Sequence, residues 1–204
     1  ITLNKPIHLQ EVRDEIPLKE MREAYETLHK NIFFYDHWGS SDSQNLMSKI
    51  KYLVRSCNCK WIVLDHISIV VSGMQDGDER RLIDNTMTQL RNLVEELKFG
   101  LILVSHLRRP VNVNRGHEEG LTTSMSQLRG SAGIGQLSDI VIGCERNQQS
   151  EQHPNLMTVR VLKNRFTGDV GVATHLQYNS DTTRLIEEGY DFSETSGHRR
   201  RNDF

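Results

Sequence analysis

The chain has 204 residues, 36% hydrophobic and 25% charged, with a formal net charge of −2. That length and balance specify one globular domain with a sizeable core and exclude intrinsic disorder. Apolar runs stop at five or six residues, far below the roughly 18 needed to span a membrane, and no signal-peptide core is visible, so a cytoplasmic protein with no membrane partner is expected.

In chain order, Leu18, Met21, Tyr25, Leu28 and Ile32 recur at helical spacing, and "IFFYDH" after them predicts a buried strand. Ser41 and Gln44 resemble a capping box opening a second helix through Leu46, Ile50, Leu53 and Val54. The run Trp61 to Leu64 predicts a strand, Ile83, Met87, Leu90, Val94 and Leu97 a third helix, and "GLILVS" another strand. Uninterrupted apolar strands alternating with amphipathic helices imply a parallel sheet covered on both faces. The segment Leu107 to Ser126 is polar and too long for an ordinary connection, which marks it as functional. A short helix over 131–137 and a strand "DIVIGCE" follow. Two β-rich segments around the turn "RFTGD" then predict an antiparallel hairpin added to the parallel sheet. From Tyr190 the chain reads as a flexible tail. Cys57, Cys59 and Cys144 match neither a disulfide framework nor a zinc site and are expected to be reduced thiols.

In open α/β sheets ligands sit beyond the carboxyl ends of the strands, where Asp65 falls. Four apolar residues and then Asp is the form of the Walker B element, whose carboxylate holds Mg²⁺; taken alone it is equally the form of a loop-capping aspartate. The next strand ends in Ser105 and His106, and a histidine there could sense a terminal phosphate. The loop after it carries Arg108, Arg109 and Arg115, a set suited to phosphodiesters. A solvated arginine loop would look the same.

Six segments, "IVLDHISIVVSG", "DERRLIDNTMTQLRNL", "SHLRRP", "GHEEG", "QLRGSAGIGQLSDIVIGCERNQQ" and "VLKNRFTGDVGVA", closely resemble the helicase domain of DnaB-like replicative ring helicases, nearest to phage primase–helicases of the T-seven type. The resemblance runs from about Asn31 to Tyr178. It implies a RecA-like P-loop core, partial over 1–189 and followed by the tail 190–204. It also implies a hexameric ring on single-stranded DNA, Mg²⁺ and a nucleoside triphosphate (ATP or dTTP) hydrolysed between subunits, and, for a phage protein, the host-cell cytoplasm. Carried over, Asp65 is the Walker B aspartate and His106 the polar sensor of the γ-phosphate. Arg165 is the finger reaching into a neighbouring site, with Lys163 able to reach the same phosphates. Arg146 and Tyr178 sandwich the base, and DNA contacts fall to Arg108, Arg109, Arg115, Arg129 and Gly130. Asn112 and Asn114 stand where T-seven-type relatives often have lysine, which shifts the basic contact toward Arg115. Without the resemblance, Arg165 is also a plain hairpin-turn arginine and Tyr178 a packed strand residue. Relatives end in an acidic segment with a terminal phenylalanine that docks on the replicative polymerase; Phe204 matches the anchor, but "HRRR" is basic, and a frayed terminus is the other reading.

No GxxxxGK[ST] run occurs, so the phosphate cradle of this family is not encoded here, and Glu11, Glu15 and Glu20 do not match the context of the family's catalytic glutamate. The chain by itself is therefore expected to be inactive as an NTPase. Three readings follow: part of a replicative helicase domain, a split or degenerate subunit that binds DNA or a ring without hydrolysis, and a RecA-type recombinase or clock-type ATPase.

Overall fold

A computed structural model describes residues 2–35, 43–68, 79–109, 116–128 and 132–187. Two helices, α1 (Gln10–Asp14) and α2 (Leu18–His29), come first and bury no side chain. The core is built by α3 (Ser43–Arg55) and α4 (Glu79–Leu97), whose apolar residues recur three and four apart and so form one stripe on each helix. Leu46 and Ile50 from α3 meet Ile83, Met87, Leu90 and Leu93 from α4, together with Ile62, Ile67, Phe99 and Ile134. Ile83 and Leu90 are wholly buried, which stabilises the fold by roughly 1.5–3 kcal/mol for each side chain.

These helices pack on a parallel pair, β1 (Trp61–Leu64) and β2 (Gly100–Leu103), in register from Trp61↔Gly100 to Leu64↔Leu103 with α4 as the crossover. Glycine at 100 is required because a Cβ there would overlap the Trp61 indole. Pairing continues past the strand ends, with Val104 N–H donating to Leu64 O and Ile67 N–H to Val104 O, both at 3.0 Å. That extension fixes the positions of Asp65 and His106.

A short helix α5 (Ala132–Leu137) leads into a four-stranded antiparallel sheet: β3 (Ile140–Arg146), β4 (Leu156–Asn164), β5 (Gly171–Asn179) and β6 (Arg184–Glu187), in that spatial order. The β4–β5 hairpin is the one expected at "RFTGD", and Gly168 supplies the positive φ of +77° that its turn needs. Among the described residues β3 pairs with β4 and not with the parallel pair, so the hairpin extends β3 into a second sheet.

Two further expectations differ from the structure. Ile32 to Tyr35 form no strand, and Phe34 is 84% exposed; an apolar run becomes a strand only where a neighbour offers it a ladder. Asp36, His37 and the capping residue Ser41 lie outside the described residues. Among the described residues the sheets are also not covered on both faces. Trp61, Val63, Ile102, Ile140 and Ile142 are exposed, while the alternate residues Val141, Gly143 and Glu145 of β3 are buried. No helix among the described residues is long and apolar enough to cross a membrane, and Cys57, Cys59 and Cys144 are free thiols.

Candidate nucleotide and DNA site

Asp65 directly follows β1 and is exposed, and His106 lies three residues past the end of β2. The register brings both to one edge of the parallel pair, as the strand-end rule requires. Between them stands His66, which the sequence reading did not single out. Its ring meets that of His106 edge-on at 4.3 Å between centroids, and its buried Nδ1 has no hydrogen-bond partner among the described residues. Only the ring contact reveals this residue, since a histidine after a strand-terminal aspartate carries no distinguishing pattern. Among the described residues no three His, Cys, Asp or Glu side chains converge. A lone exposed carboxylate fits Mg²⁺, which keeps several waters and binds through one or two carboxylates and substrate phosphates.

Arg108 and Arg109 are exposed beyond the same edge. Arg108 N–H donates to Gln127 O at 2.7 Å, Leu107 bridges Leu128, and His117 Nε2 lies 3.0 Å from Arg108 O. The central segment is thereby folded back on the start of its own loop. Asn112, Asn114, Arg115, Arg129, Gly130 and the tail from Tyr190 to Phe204 lie outside the described residues.

The turn after β4 is wired by its own side chains. Asn164 Oδ1 accepts from Phe166 N–H at 3.1 Å, Asn164 Nδ2 donates to Thr167 Oγ1 at 2.8 Å, and Gly168 N–H donates to Asn164 O at 2.9 Å. Arg165 leaves this turn and is held twice by Asp139. Its N–H donates to Asp139 O at 2.9 Å and its Nη1 to Asp139 Oδ1 at 3.0 Å. The other carboxylate oxygen, Asp139 Oδ2, accepts from Arg91 Nη1 of α4 at 2.6 Å. Arg91, and Arg165 to a lesser degree, hold the Asp139 carboxyl below its usual range despite partial burial.

Lys163 is half-buried. Its ammonium donates to the carbonyls of Gly135, Gln136 and Ser138 at 2.8, 3.1 and 2.8 Å. All three donors are used on the last turn of α5, where a cation also complements the helix end. Lys163→Met, which keeps the stem and removes the donors, is expected to lower stability by about 1–3 kcal/mol. Urea denaturation checks this: an unchanged midpoint would show that the clamp contributes nothing.

Arg146 and Tyr178 are brought together, as expected. The guanidinium carbon lies 5.9 Å from the ring centroid. Arg146 Nε donates to Pro154 O at 2.8 Å and Nη2 to Asn155 Oδ1 at 2.9 Å, which orients the guanidinium; Asn155 O in turn accepts from Tyr178 N–H. A base stacked on both would need contacts of about 3.5 Å on each side, roughly 7 Å in all, so the pair must part by about 1 Å to admit one. The pair lies at the far end of the antiparallel sheet from Arg165. Arg146 is opposite Met157 on β4, and Arg165 follows the strand's last residue, Asn164. Eight residues from Met157 to Arg165 span about 25 Å at ~3.3 Å each.

Glu145 was also not foreseen. Its Oε1 accepts from Thr123 N–H, Thr123 Oγ1 and Arg160 Nε at 2.8, 2.7 and 2.7 Å, and Oε2 accepts from Arg160 Nη2 at 3.1 Å. Burial works against ionisation, but Arg160 and the two Thr123 donors outweigh it and hold the carboxyl below its usual range. A Cβ at Gly143 would overlap Thr123 Oγ1, so the glycine admits the central segment to the sheet. A glutamate at an inward position of an alternating strand was the readable signal, because a buried charge requires a partner.

The family described as the DnaB-like helicase C terminal domain matches residues 3–187. The DNA helicase/primase of Enterobacteria phage T3 is 42% identical over 163 residues, 80% of this chain and 28% of its own length. The chain thus spans under a third of that relative. Among solved structures, a DnaB-like replicative helicase described with its interactions with primase covers 91% of this chain and 46% of its own at TM-score 0.69 and 18% identity. A second solved structure, described as an ATPase domain, covers 92% and 67% at TM-score 0.68 and 17% identity. A KaiC-like protein, PH0186 of Pyrococcus horikoshii OT3, covers 88% and 70% at TM-score 0.53 and 16% identity. At such identities the likeness carries the fold, a RecA-like α/β core, as expected from the sequence.

Proposed function

We propose, since the chain belongs to the family of DnaB-like helicase C-terminal domains, that it is part of a replicative DNA helicase that hydrolyses nucleoside triphosphates between subunits while moving on single-stranded DNA. The observation that carries the shared site is the distance of about 25 Å along β4 between Arg165 and the Arg146–Tyr178 pair. One nucleotide would have to bridge most of that span, less the reach of the arginine side chains, to put its base at the pair and its terminal phosphate at Arg165 of the same subunit. A ring, in which each subunit lends Arg165 to a neighbour, resolves this.

In that reading Asp65 would hold Mg²⁺, which neutralises charge on the β- and γ-phosphates when bound. His106, steadied by the His66 ring, lies between that carboxylate and the loop carrying Arg108 and Arg109. A change at the phosphate is thereby passed to the DNA contacts through a few residues past β2. Lys163 reaches a phosphate only by giving up three carbonyls, so its first role is to fasten α5 to β4. The chain encodes no GxxxxGK[ST] cradle and by itself is not expected to turn over.

Hydrolysis by the ring of the intact helicase of which this chain is proposed to be a part, cradle included, measured with and without single-stranded DNA, tests the reading. Wild-type protein is expected to be stimulated by DNA, and Asp65→Ala to lose at least about a hundredfold in either condition. Turnover that ignores both DNA and Asp65 would refute it.

A further inference from the structure

The guanidinium proposed to act in a neighbour's site is occupied within its own subunit. Arg165 Nη1 sits on Asp139 Oδ1 at 3.0 Å, and Arg91 Nη1 takes Asp139 Oδ2 at 2.6 Å. One carboxylate is thus divided between an arginine on α4 and the arginine at the β4–β5 turn. We propose that Asp139 is a positioning residue that latches Arg165 in a retracted state, with Arg91 setting the strength of the latch by competing for the carboxylate. The proposal rests on the reading of Arg165 as a trans-acting finger and adds what controls its availability.

Three features favour a latch over a fixed ion pair. The root of the finger is immobile: Arg165 N–H is bonded to Asp139 O, and Asn164 and Gly168 close the turn beneath it. Only the side chain has to move, through staggered rotamers of a long stem. The Arg165 side chain is 55% exposed while Asp139 is 32% exposed, so the pair can open into solvent without uncovering a buried charge. An exposed pair of this kind biases an equilibrium by only about two- to fivefold, enough to favour retraction and weak enough for a neighbour's phosphate to displace. Arg91 is also held by Glu95 Oε1 at 2.7 Å, which anchors the competitor on α4 when Arg165 departs.

The latch makes opposite demands on two substitutions. Asp139→Asn frees Arg165 and should raise hydrolysis by the assembled ring in the absence of DNA about two- to fivefold, with a fall in the ratio of DNA-stimulated to basal rate. Arg91→Gln leaves both carboxylate oxygens to Arg165, permits a bidentate grip and should lower the basal rate. Asp139→Glu keeps the charge and should keep the basal rate below that of Asp139→Asn. Misfolding cannot imitate this pattern, because it lowers activity in every variant. If Asp139→Asn fails to assemble, the Arg91→Gln arm still decides: an unchanged or raised basal rate there overturns the latch, and a lowered rate in rings with the wild-type thermal midpoint supports it. Movement of Asp139→Asn and Arg91→Gln in the same direction also overturns it. Arg165→Ala, run beside them, separates the two ideas. If it hydrolyses at the wild-type rate, the finger reading falls and the latch with it. If it is inactive while the other two fail to diverge, only the latch falls.

Discussion

Arg165→Ala is expected to lower hydrolysis by the ring about 10³-fold or more, with little change in the stability of the subunit. The rate effect follows from what a fixed guanidinium would do in the proposed trans role: it would sit where the transferring phosphoryl spreads negative charge, at an interface closed to water. The small stability effect follows from exposure. Arg165 is more than half exposed and its partner Asp139 keeps Arg91, so removing one screened ion pair costs little. A mixture of Arg165→Ala and Asp65→Ala subunits extends the prediction. Some interfaces in it combine an intact Asp65 from one subunit with an intact Arg165 from the next, so part of the lost rate should return. Steady-state hydrolysis across mixing ratios measures this, and no recovery at any ratio would mean that Arg165 acts within its own subunit or not at all.

The second large effect concerns stability. Glu145→Ala is expected to cost about 3–5 kcal/mol, because it strands the Arg160 guanidinium and both Thr123 donors in a region where the Glu145 side chain is only 8% exposed. The same change cuts one of the ties between the central segment and the antiparallel sheet, beside the Glu119–Asn147 bridge, so the loop that carries the proposed DNA contacts should lose order as well. The pH dependence has a definite sign. The folded Glu145 carboxyl lies below its ordinary value, so its contribution is complete above about pH 4.3, the unfolded glutamate value, and is lost as pH falls through the folded value. Urea midpoints should therefore separate wild type from Glu145→Ala widely at neutral pH and less as the solution is acidified. A double variant with Arg160→Ala should be far from additive. Equal midpoints for wild type and Glu145→Ala at neutral pH would contradict the account.

The parallel pair and its two helices were legible in the sequence because each rests on a local period. Ile83, Met87 and Leu90 repeat along α4, and β1 and β2 are short apolar runs separated by a helix of crossover length. The strand-end positions of Asp65 and His106, and the meeting of Arg146 with Tyr178, were legible through the resemblance carried by their motifs. Ile32 to Tyr35 misled because the run says that a segment is apolar and not that a neighbour is present to pair with it. The choice of β4 as the partner of β3 was missed for the same reason, since pairing is settled between segments and not within one. The carboxylates that organise the site were hidden by distance along the chain. Arg91 and Asp139 are 48 residues apart and Thr123 and Glu145 are 22 apart, and no period links such pairs. Lys163 shows the converse: its motif suggested phosphate chemistry, and the fold occupies all three of its donors with carbonyls at and just past the end of α5.

The most direct measurement of the central claim is strand displacement on a forked duplex by the hydrolysing assembly, followed beside NTP consumption in the same reaction. Separation of the strands is expected only with a hydrolysable triphosphate and Mg²⁺, and it should be lost together with hydrolysis in Asp65→Ala. Hydrolysis that proceeds on the fork without displacing a strand, or displacement that persists with a nonhydrolysable analogue, would contradict the account.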